Sequence, residues 1–314
     1  MQITQAKPSF SPLLRDVPGC AWALVILLTV LSGSAPNFLT TGNLLNVASQ
    51  ATLLLLLALP MTFVIMTEGL DLSLGALLSL CTVIFAIVVK STGSVGAGIL
   101  ACVAVGALVG ALNGSLIGLL GIPPFVATLG TMGIATGLAL LMAEERDLIG
   151  LGTTAQAAWS GTWMGIPIPV WIAVGTYGLF HFLLKHTRFG VSVIALGGNA
   201  EALRLAGKRV LPRLVLVYVL AAVYAAIAGI LLAGRINGGN PTAAQGMEFD
   251  AIAAVVVGGT HFVKGRGTLF GTLLGVILIT VLRNGLNLVA LPTSIQVAAI
   301  GVLVIAALAM ESRR

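Results

Sequence analysis

The chain has 314 residues, of which 58% are hydrophobic and only 8% are charged, and its mean hydropathy is +1.09. Because soluble domains carry roughly 25% charged residues, this composition excludes a soluble protein and predicts an integral membrane protein. The formal net charge of +6 does not indicate a nucleic-acid partner, since the basic residues lie in short loops between apolar segments. The 3 cysteines and 3 histidines are scattered, so we expect no metal site and no cofactor.

Ten apolar segments divide the chain into candidate transmembrane helices, each of which needs about 20 residues to cross a bilayer. We predict these helices near residues 20–36, 44–66, 72–89, 96–118, 123–143, 166–184, 212–233, 248–262, 267–288 and 293–310. The eighth is short and begins with acidic residues, so a half-helix that enters from one side is an equally good interpretation. The predicted fold is an all-α integral membrane protein that forms a single polytopic domain over residues 1–314.

The basic residues predict the orientation of these helices. With ten spans both termini lie on one side, which then carries twelve of the 16 lysines and arginines: Lys7, Arg15, Lys185, Arg188, Arg204, Lys208, Arg209, Arg213, Lys264, Arg266, Arg313 and Arg314. The other side carries only Lys90, Arg146, Arg235 and Arg283. Cytoplasmic loops are rich in lysine and arginine, so we predict that both termini, an N-terminal tail over residues 1–19 and the loop over residues 185–211 are cytoplasmic.

Glycines recur at every fourth position on two of the segments, at Gly106, Gly110, Gly114 and Gly118 in the fourth and at Gly267, Gly271 and Gly275 in the ninth. This spacing places the glycines on one helix face, where they let two backbones approach closely in lipid. Each segment also contains an Asn-Gly step, and each follows an acidic pair at the start of an apolar run. The similarity predicts two halves of five helices, inverted because five is odd. Chance resemblance between glycine-rich helices is the alternative.

Polar side chains within or beside the apolar segments are the candidates for a translocation path, because ionisable groups in a membrane are usually functional. They are Glu68, Asp71, Ser73, Asn113, Thr128, Glu248, Asp250, Asn284 and Asn287. The two acidic pairs indicate either a broken helix whose backbone lines a polar path or an ordinary loop with an N-cap. The amide and hydroxyl side chains either bind a hydroxyl-rich solute or hydrogen-bond neighbouring helices.

The 185–211 loop is predicted to contain a short amphipathic helix. Asn199 is a suitable N-cap and Gly207 a suitable C-cap, and the residues between them are mostly alanine and leucine. Glu201 and Arg204 lie three residues apart and present polar groups on one face. Such a helix either docks into another protein or contacts the membrane surface through its basic residues. We assign it a coupling role, carried by Gly198, Asn199, Glu201, Arg204 and Gly207.

Four stretches of the sequence carry the residues of a known family. They are MTFVIMTEGLDLSLG over residues 61–75, IPPFVATLG over 122–130, residues 187–207, and EFDAIAAVVVGGT over 248–260 followed by GRGT at 265–268 and NGLN at 284–287. Through them the chain resembles the ribose-type permeases of ATP-binding-cassette (ABC) importers, the branch that also includes galactose, xylose and autoinducer permeases. The stretches occur in family order. The chain departs from the family at Glu68, where glycine is typical, and at residues 261–264, where a small, polar stretch is usual.

The resemblance implies a function and a set of partners. The function is passage of a sugar or sugar-like solute across the bacterial cytoplasmic (inner) membrane by alternating access. The partners are cytoplasmic ABC ATPase subunits, a second permease subunit that is identical or different, and a periplasmic or extracellular sugar-binding protein, all at the lipid bilayer. In this mechanism the ATPases push on the 185–211 loop and switch the pore between outward-facing and inward-facing states.

Two other classes of function compete with this interpretation. An ion-coupled secondary transporter would hold a carboxylate in mid-span with an ion partner, whereas the acids here lie at the ends of spans. A membrane-embedded enzyme would need a nucleophile with a base, or clustered metal ligands, and the sequence shows neither. The chain also lacks a phosphate loop, because Arg209 rather than Ser or Thr follows Gly207-Lys208. We therefore expect a transport subunit that is not an enzyme, with ATP hydrolysis in a separate subunit.

Overall fold

Helices make up most of the structure. A computed structural model describes residues 19–260 and 265–311 of the chain. Within these ranges it has twelve helices: α1 (Gly19–Ser34), α2 (Thr41–Met66), α3 (Leu74–Thr92), α4 (Val95–Leu120), α5 (Pro124–Ala143), α6 (Thr153–Ser160), α7 (Ile168–His186), α8 (Arg188–Leu205), α9 (Val210–Ile236), α10 (Met247–Val257), α11 (Leu269–Leu288) and α12 (Thr293–Glu311). The strands there are β1 (Leu148–Ile149), β2 (Thr162–Trp163), β3 (Ile166–Pro167) and β4 (Gly238–Gly239). The predicted all-α class is confirmed; the predicted tail over residues 1–19 lies outside the described ranges except for Gly19, as do residues 261–264.

Seven helices in the described part of the chain are long and apolar enough to cross a membrane, namely α2, α3, α4, α5, α7, α9 and α11. The apolar helix α1 is shorter, at 16 residues. α10 has only 11 residues, so at 1.5 Å per residue it is about 16 Å long, roughly half the thickness of the hydrocarbon core. Each of the ten predicted segments therefore contains a helix, and the eighth is short. The count of ten membrane crossings stays a prediction.

α2, α3 and α9 form the centre of the bundle. α2 is buried on all sides from Leu53 to Met66, and the buried face of α9 consists mainly of alanine and glycine. The surrounding helices expose large apolar side chains, such as Leu108 of α4 and Leu141 of α5. An apolar exterior around buried polar groups suits lipid rather than water.

The glycine face of α4 packs against α9. A methyl group added to Gly110 would lie 2.6 Å from the carbonyl oxygen of Tyr218 and 2.6 Å from the Cα atom of Val219. Gly106 and Gly114 make equally close backbone contacts with Ala222 and Val215. Successive glycines of α4 contact residues that lie progressively earlier in α9, so the two helices run antiparallel. Because glycine has no side chain, the two backbones touch at these positions.

The glycine face of α11 packs in the same manner against α10. Gly271 lies against the carbonyl oxygen of Gly258, and Gly275 lies against that of Ala254. Gly267 adjoins Thr260, just beyond the end of α10. These contacts place α10 antiparallel to α11, with the C-terminal end of α10 beside the start of α11.

Two sets of connections mark opposite ends of the bundle. At one end, which we call the α8 end, Gly197 of α8 lies against the carbonyl oxygen of Met66, the last residue of α2. At the other, which we call the α6 end, β1 pairs with β4 in antiparallel register, with Leu148 opposite Gly239. The pairing fastens the connection after α5 to the connection after α9.

The structure extends the sequence prediction in the connections. Residues 144–165, which lie between two predicted spans, contain α6, and β2 pairs with β3. In the 185–211 loop, α8 begins at Arg188 rather than at Asn199, and non-helical backbone at Asn199 divides it into two parts (φ −167°, ψ 91°). The first part buries Val193 and Leu196 in the bundle, and such tertiary contacts are not visible in a sequence pattern of mixed polarity.

Candidate functional site

A non-helical segment over residues 67–73 separates α2 from α3. α2 ends in a Schellman motif, in which the Glu68 amide donates to the carbonyl oxygen of Ile65 (2.9 Å) and the Gly69 amide to that of Val64 (3.0 Å). Glu68 has a left-handed backbone with φ of 60° and an exposed side chain. The segment then turns inward, and it is buried from Asp71 to Ser73. The segment thus connects two helices and is buried where it enters α3; the choice between a backbone that lines a polar path and an ordinary loop with an N-cap stays open.

Asp71 and Asn113 both bind Ser73 at the start of α3. The side chain of Asp71 is fully buried, and its Oδ1 atom accepts hydrogen bonds from the amide (2.9 Å) and the hydroxyl (2.6 Å) of Ser73. Asn113 of α4 donates from Nδ2 to the Ser73 hydroxyl oxygen (3.1 Å). The carboxylate thus lies at the N-terminal end of a 19-residue helix, where the helix dipole favours negative charge.

Two further helices hold the 67–73 segment from other sides. The hydroxyl of Thr128, near the start of α5, lies within hydrogen-bonding distance of the carbonyl oxygens of Leu70 (3.1 Å) and Pro124 (2.8 Å), which share its one hydrogen. The hydroxyl of Tyr218, on α9, lies against Gly69, which has no side chain to displace it. Tyr218 was not predicted, because an aromatic residue in an apolar helix is typical of a packed core. The available signal was its hydroxyl, which needs a partner when it is buried.

The start of α10 meets the start of α3. The Glu248 carboxylate lies with its Oε2 atom against Gly75, the second residue of α3. The connection that leads into α10 runs along α3 and is held there by hydrogen bonds from the Ala244 amide to the Ser79 hydroxyl (3.0 Å) and from the Asn240 amide to Thr82 Oγ1 (3.0 Å). Two acids 177 positions apart in sequence, Asp71 and Glu248, therefore flank the first turn of the same helix.

Four buried side-chain atoms around this turn have no hydrogen-bond partner in the described structure. They are Asp71 Oδ2, Asn113 Oδ1, Tyr218 OH and Glu248 Oε2. The side chains come from the 67–73 segment, α4, α9 and α10, and each residue is 5% exposed or less. Buried polar groups are usually paired in native proteins, so four unpaired ones in a single region distinguish it from an ordinary helix interface. We call this set the inner polar cluster.

The other predicted residues make contacts elsewhere. Asp250 forms an ion pair with Arg283 of α11 (2.6 Å), a partner that the sequence did not suggest. Asn284 exchanges hydrogen bonds with Asn43 of α2 (3.0 and 2.9 Å), and Asn287 accepts one from the Gln296 side chain (3.0 Å). For both asparagines this geometry matches the alternative in which the amide joins neighbouring helices. The structure therefore brings together five of the nine predicted path residues: Asp71, Ser73, Asn113, Thr128 and Glu248.

The second part of α8 is a capped helix at the α8 end. Asn199 Oδ1 accepts a hydrogen bond from the Ala202 amide (2.9 Å), which is the geometry of an N-cap. Gly207 has a left-handed backbone (φ 71°), and its amide donates to the carbonyl oxygen of Arg204 (2.9 Å). Glu201 and Arg204 form an exposed ion pair (3.1 Å), and Gly198 is exposed at the kink. The predicted capped helix is present, and its coupling role stays a prediction.

Comparison with known proteins places the chain in a family. Residues 43–308 match the family described as the branched-chain amino acid transport system / permease component. The chain belongs to this permease family. The permease is 35% identical to the ribose import permease protein RbsC of Escherichia coli strain K12, over 93% of this chain and 92% of that relative. It is 38% identical to the RbsC protein of Bacillus subtilis strain 168, over 100% and 98% of the two chains.

A third relative carries the name of another sugar. The permease is 31% identical to the D-allose transport system permease protein AlsC of Escherichia coli strain K12, over 99% of this chain and 96% of the relative. No solved structure matches the permease. Family membership and the seven long apolar helices together make the chain a multi-pass membrane permease and the transport component of its system.

Proposed function

We propose that the permease is the membrane-spanning subunit of an ABC importer and carries a sugar or sugar-like solute into the cell by alternating access. The observation that carries this proposal is similarity along nearly the whole chain to relatives named for ribose import and D-allose transport. Translocation depends on the complete helix bundle rather than on one motif. Similarity over the complete bundle therefore supports a shared transport function better than a single shared motif would.

The geometry of the inner polar cluster supports this proposal. Transporters bind their substrates near the bilayer midplane at discontinuous helices, whose free backbone groups and polar side chains line a cavity. In the permease the 67–73 segment interrupts the chain between α2 and α3, and the half-length helix α10 begins beside it. The buried acids and amide at this place are suited to hydroxyl groups and not to an apolar solute.

We also propose that ten spans form two inverted halves of five helices. The contacts support an equivalence of α2 with α9, of α3 with α10 and of α4 with α11. In the first half α3 packs on α4, and both helices pack on α9. In the second half α10 packs on α11, and both helices pack on α2. Both α3 and α10 also follow a non-helical stretch beside a buried acid. These are the relations expected of inverted repeats.

The proposed importer requires partners that supply energy and substrate. Two ABC ATPase subunits dock at the α8 end, where the capped helix from Asn199 to Gly207 receives their movement. A second permease subunit completes the pore, and a sugar-binding protein delivers the solute at the α6 end. Both chain termini then lie in the cytoplasm of a bacterial cell, which agrees with the excess of lysine and arginine on that side.

Transport by the purified complex tests the proposed function. The permease is isolated from its native membrane through a terminal tag together with the proteins that remain bound, and it is reconstituted into liposomes. We expect an ATPase to co-purify and uptake of labelled ribose or D-allose to require ATP and the binding protein. Uptake that needs no ATP and stops when an ionophore collapses the ion gradient would instead support the ion-coupled secondary transporter.

A further inference from the structure

The inner polar cluster is assembled from elements that are distant in the sequence. Asp71 belongs to the 67–73 segment, Asn113 to α4, Tyr218 to α9 and Glu248 to α10, and the first three are completely buried. Glycines make the room for it, since Gly69 leaves space for the Tyr218 hydroxyl and Gly75 leaves space for the Glu248 carboxylate. Any side chain at either glycine would fill the space that these polar groups occupy.

The unpaired atoms of the cluster are mainly hydrogen-bond acceptors. Asp71 Oδ2 and Glu248 Oε2 are carboxylate oxygens, and Asn113 Oδ1 is an amide oxygen. The Tyr218 hydroxyl both donates and accepts. The ordinary use of a buried acid, pairing with a cation, is seen two residues after Glu248, where Arg283 binds Asp250 (2.6 Å). Arg283 binds this other acid through Nη2, and its Nε has no partner in the described structure. The free oxygens of the cluster receive no hydrogen bond from the described residues and can accept one from a donor that is not part of the chain.

The chemistry of the cluster selects among donors. A phosphorylated or carboxylated solute would bring negative charge next to two carboxylates, which is unfavourable in a buried site. A metal cation would bind less strongly than expected for a site with two carboxylates. Both acids lie at the first turn of α3, where the helix dipole already provides positive potential. A neutral compound with several hydroxyl groups supplies donors without charge and matches the spread of acceptors over four elements.

We propose that Asp71, Asn113, Tyr218 and Glu248 form an inner substrate site of the permease, which accepts hydrogen bonds from the hydroxyl groups of a neutral polyol during translocation. This inference rests on the proposed function and adds the residues that bind the solute and the hydrogen-bond acceptors that they offer it. The structure holds the site closed, since no member of the cluster is more than 5% exposed. Glu248 lies on a helix of half a span, so displacement of α10 from α3 opens the site without unfolding a complete span.

Single-atom changes in the reconstituted complex test the site. Asp71→Asn, Glu248→Gln and Tyr218→Phe each alter one polar group at constant shape. We expect each to reduce sugar transported per ATP hydrolysed by about tenfold, the loss expected for one substrate hydrogen bond. The ATPase activity stimulated by the binding protein should stay within about twofold of the wild type, because the α8 end is unchanged. Tyr224→Phe, on the same helix but outside the cluster, is the matched control.

A second measurement identifies the hydroxyl contact directly. The rate of transport of each deoxy analogue is divided by that of ribose, for the wild type and for each variant, with the same binding protein. The preference of the binding protein is then the same in every ratio and cancels when variant and wild type are compared. We expect the wild type to transport at least one deoxy analogue more slowly than ribose. The variant that lost the side-chain group facing the missing hydroxyl should transport that analogue and ribose at equal rates. If one variant fails to reach the membrane, the other two decide. Wild-type rates and ratios in the variants would overturn the site and leave the proposed function standing, whereas absence of ATP-driven sugar uptake by the wild type would overturn both.

Discussion

Glu68 holds a backbone conformation that glycine adopts without steric strain. It occupies the first position after the α2 C-cap, where its φ of 60° completes the Schellman motif, and glycine is the usual residue at such a position. We expect Glu68→Gly to stabilise the permease by about 0.5 to 1 kcal/mol, because relief of left-handed strain exceeds the added flexibility of the unfolded chain. The thermal unfolding midpoint in detergent measures the change.

The control for this prediction is a second replacement of glutamate by glycine. Glu201 lies inside the helical part of α8, where glycine costs about 1 kcal/mol and the ion pair with Arg204 is also lost. Glu201→Gly should therefore lower the unfolding midpoint. If Glu68→Gly lowers the midpoint as well, the left-handed conformation at Glu68 is not a source of strain.

Individual residues of the inner polar cluster differ in how visible they are in the sequence. Asp71 and Glu248 stand out because charge is rare in this chain, where it is only 8% of residues, and Asn113 stands out as an amide in an apolar segment. Tyr218 is hidden, since one hydroxyl hardly changes the pattern of an apolar helix. Their meeting at one turn of α3 could not be predicted, because a pattern along the chain carries no information on which distant segments touch.

At the scale of elements, the contact between α4 and α9 leaves no room for a side chain at the glycines of α4. Gly110→Leu would place a side chain where the backbone of α9 already lies 2.6 Å from a single added carbon. We expect the two helices to separate and the yield of folded permease in the membrane to fall severalfold, because overpacking by a single buried side chain typically costs about 1 to 3 kcal/mol or more. Size-exclusion chromatography of the solubilised protein measures the folded fraction.

A glycine on α5 provides the matched control for this packing prediction. Gly133 also lies in an apolar helix, but nothing stands within 4 Å of a carbon added to it. Gly133→Leu should therefore leave the monomeric fold intact. Equal yields for the two leucine variants would show that the close approach of α4 and α9 is not needed for folding.

The ion pair between Asp250 and Arg283 fixes the short helix α10 to α11. Arg283→Met leaves the Asp250 carboxylate, with only 11% of its side chain exposed, without a partner. Since the Arg283 side chain is 36% exposed, we expect a loss of only about 1 to 2 kcal/mol. The double variant Asp250→Asn with Arg283→Met should be more stable than Arg283→Met alone, as measured by thermal unfolding in detergent. Additive effects of the two changes would show that the pair contributes no coupling energy.

The capped helix of α8 allows surface charge to be inverted without loss of an ion pair. Glu201→Arg combined with Arg204→Glu keeps opposite charges three residues apart and exposed, as they are in the native helix. Stability should therefore change by less than about 0.5 kcal/mol, whereas binding of the ATPase and sugar uptake should fall. Pull-down of the ATPase and uptake in cells measure these effects. Normal uptake with an unchanged ATPase complex would leave the segment as a surface helix only.

Helix boundaries could be predicted to different degrees for physical reasons. The predicted spans 44–66, 123–143 and 267–288 agree closely with α2, α5 and α11, because proline, glycine or polar residues bound long apolar runs there. The first part of α8 could not be predicted, since its helical state depends on burial of Val193 and Leu196 in the bundle. The short length of α10 was visible because acidic residues stand at its start.

At the scale of the whole molecule, the distribution of lysine and arginine predicts the side of the membrane on which the termini lie. A cysteine added after Arg314 should not react with an impermeant thiol reagent applied to intact cells, whereas Thr154→Cys, exposed in α6, should react strongly. The native cysteines Cys20, Cys81 and Cys102 are buried and give little background. Strong labelling at the C-terminus from outside would reverse the topology.

The distance in sequence between α4 and its packing partner α9 determines the order in which the permease assembles during its synthesis. About a hundred residues lie between the glycine face of α4 and its contact surface on α9, so at about 5 to 20 residues per second the ribosome needs roughly 5 to 20 s to supply the partner. Over that interval α4, which has no charged residue, lies in the membrane beside α3 and α5 but without its partner α9. Insertion of α4 and its docking on α9 are therefore separate events, and a chain interrupted before Val210 leaves the glycine face of α4 without its partner.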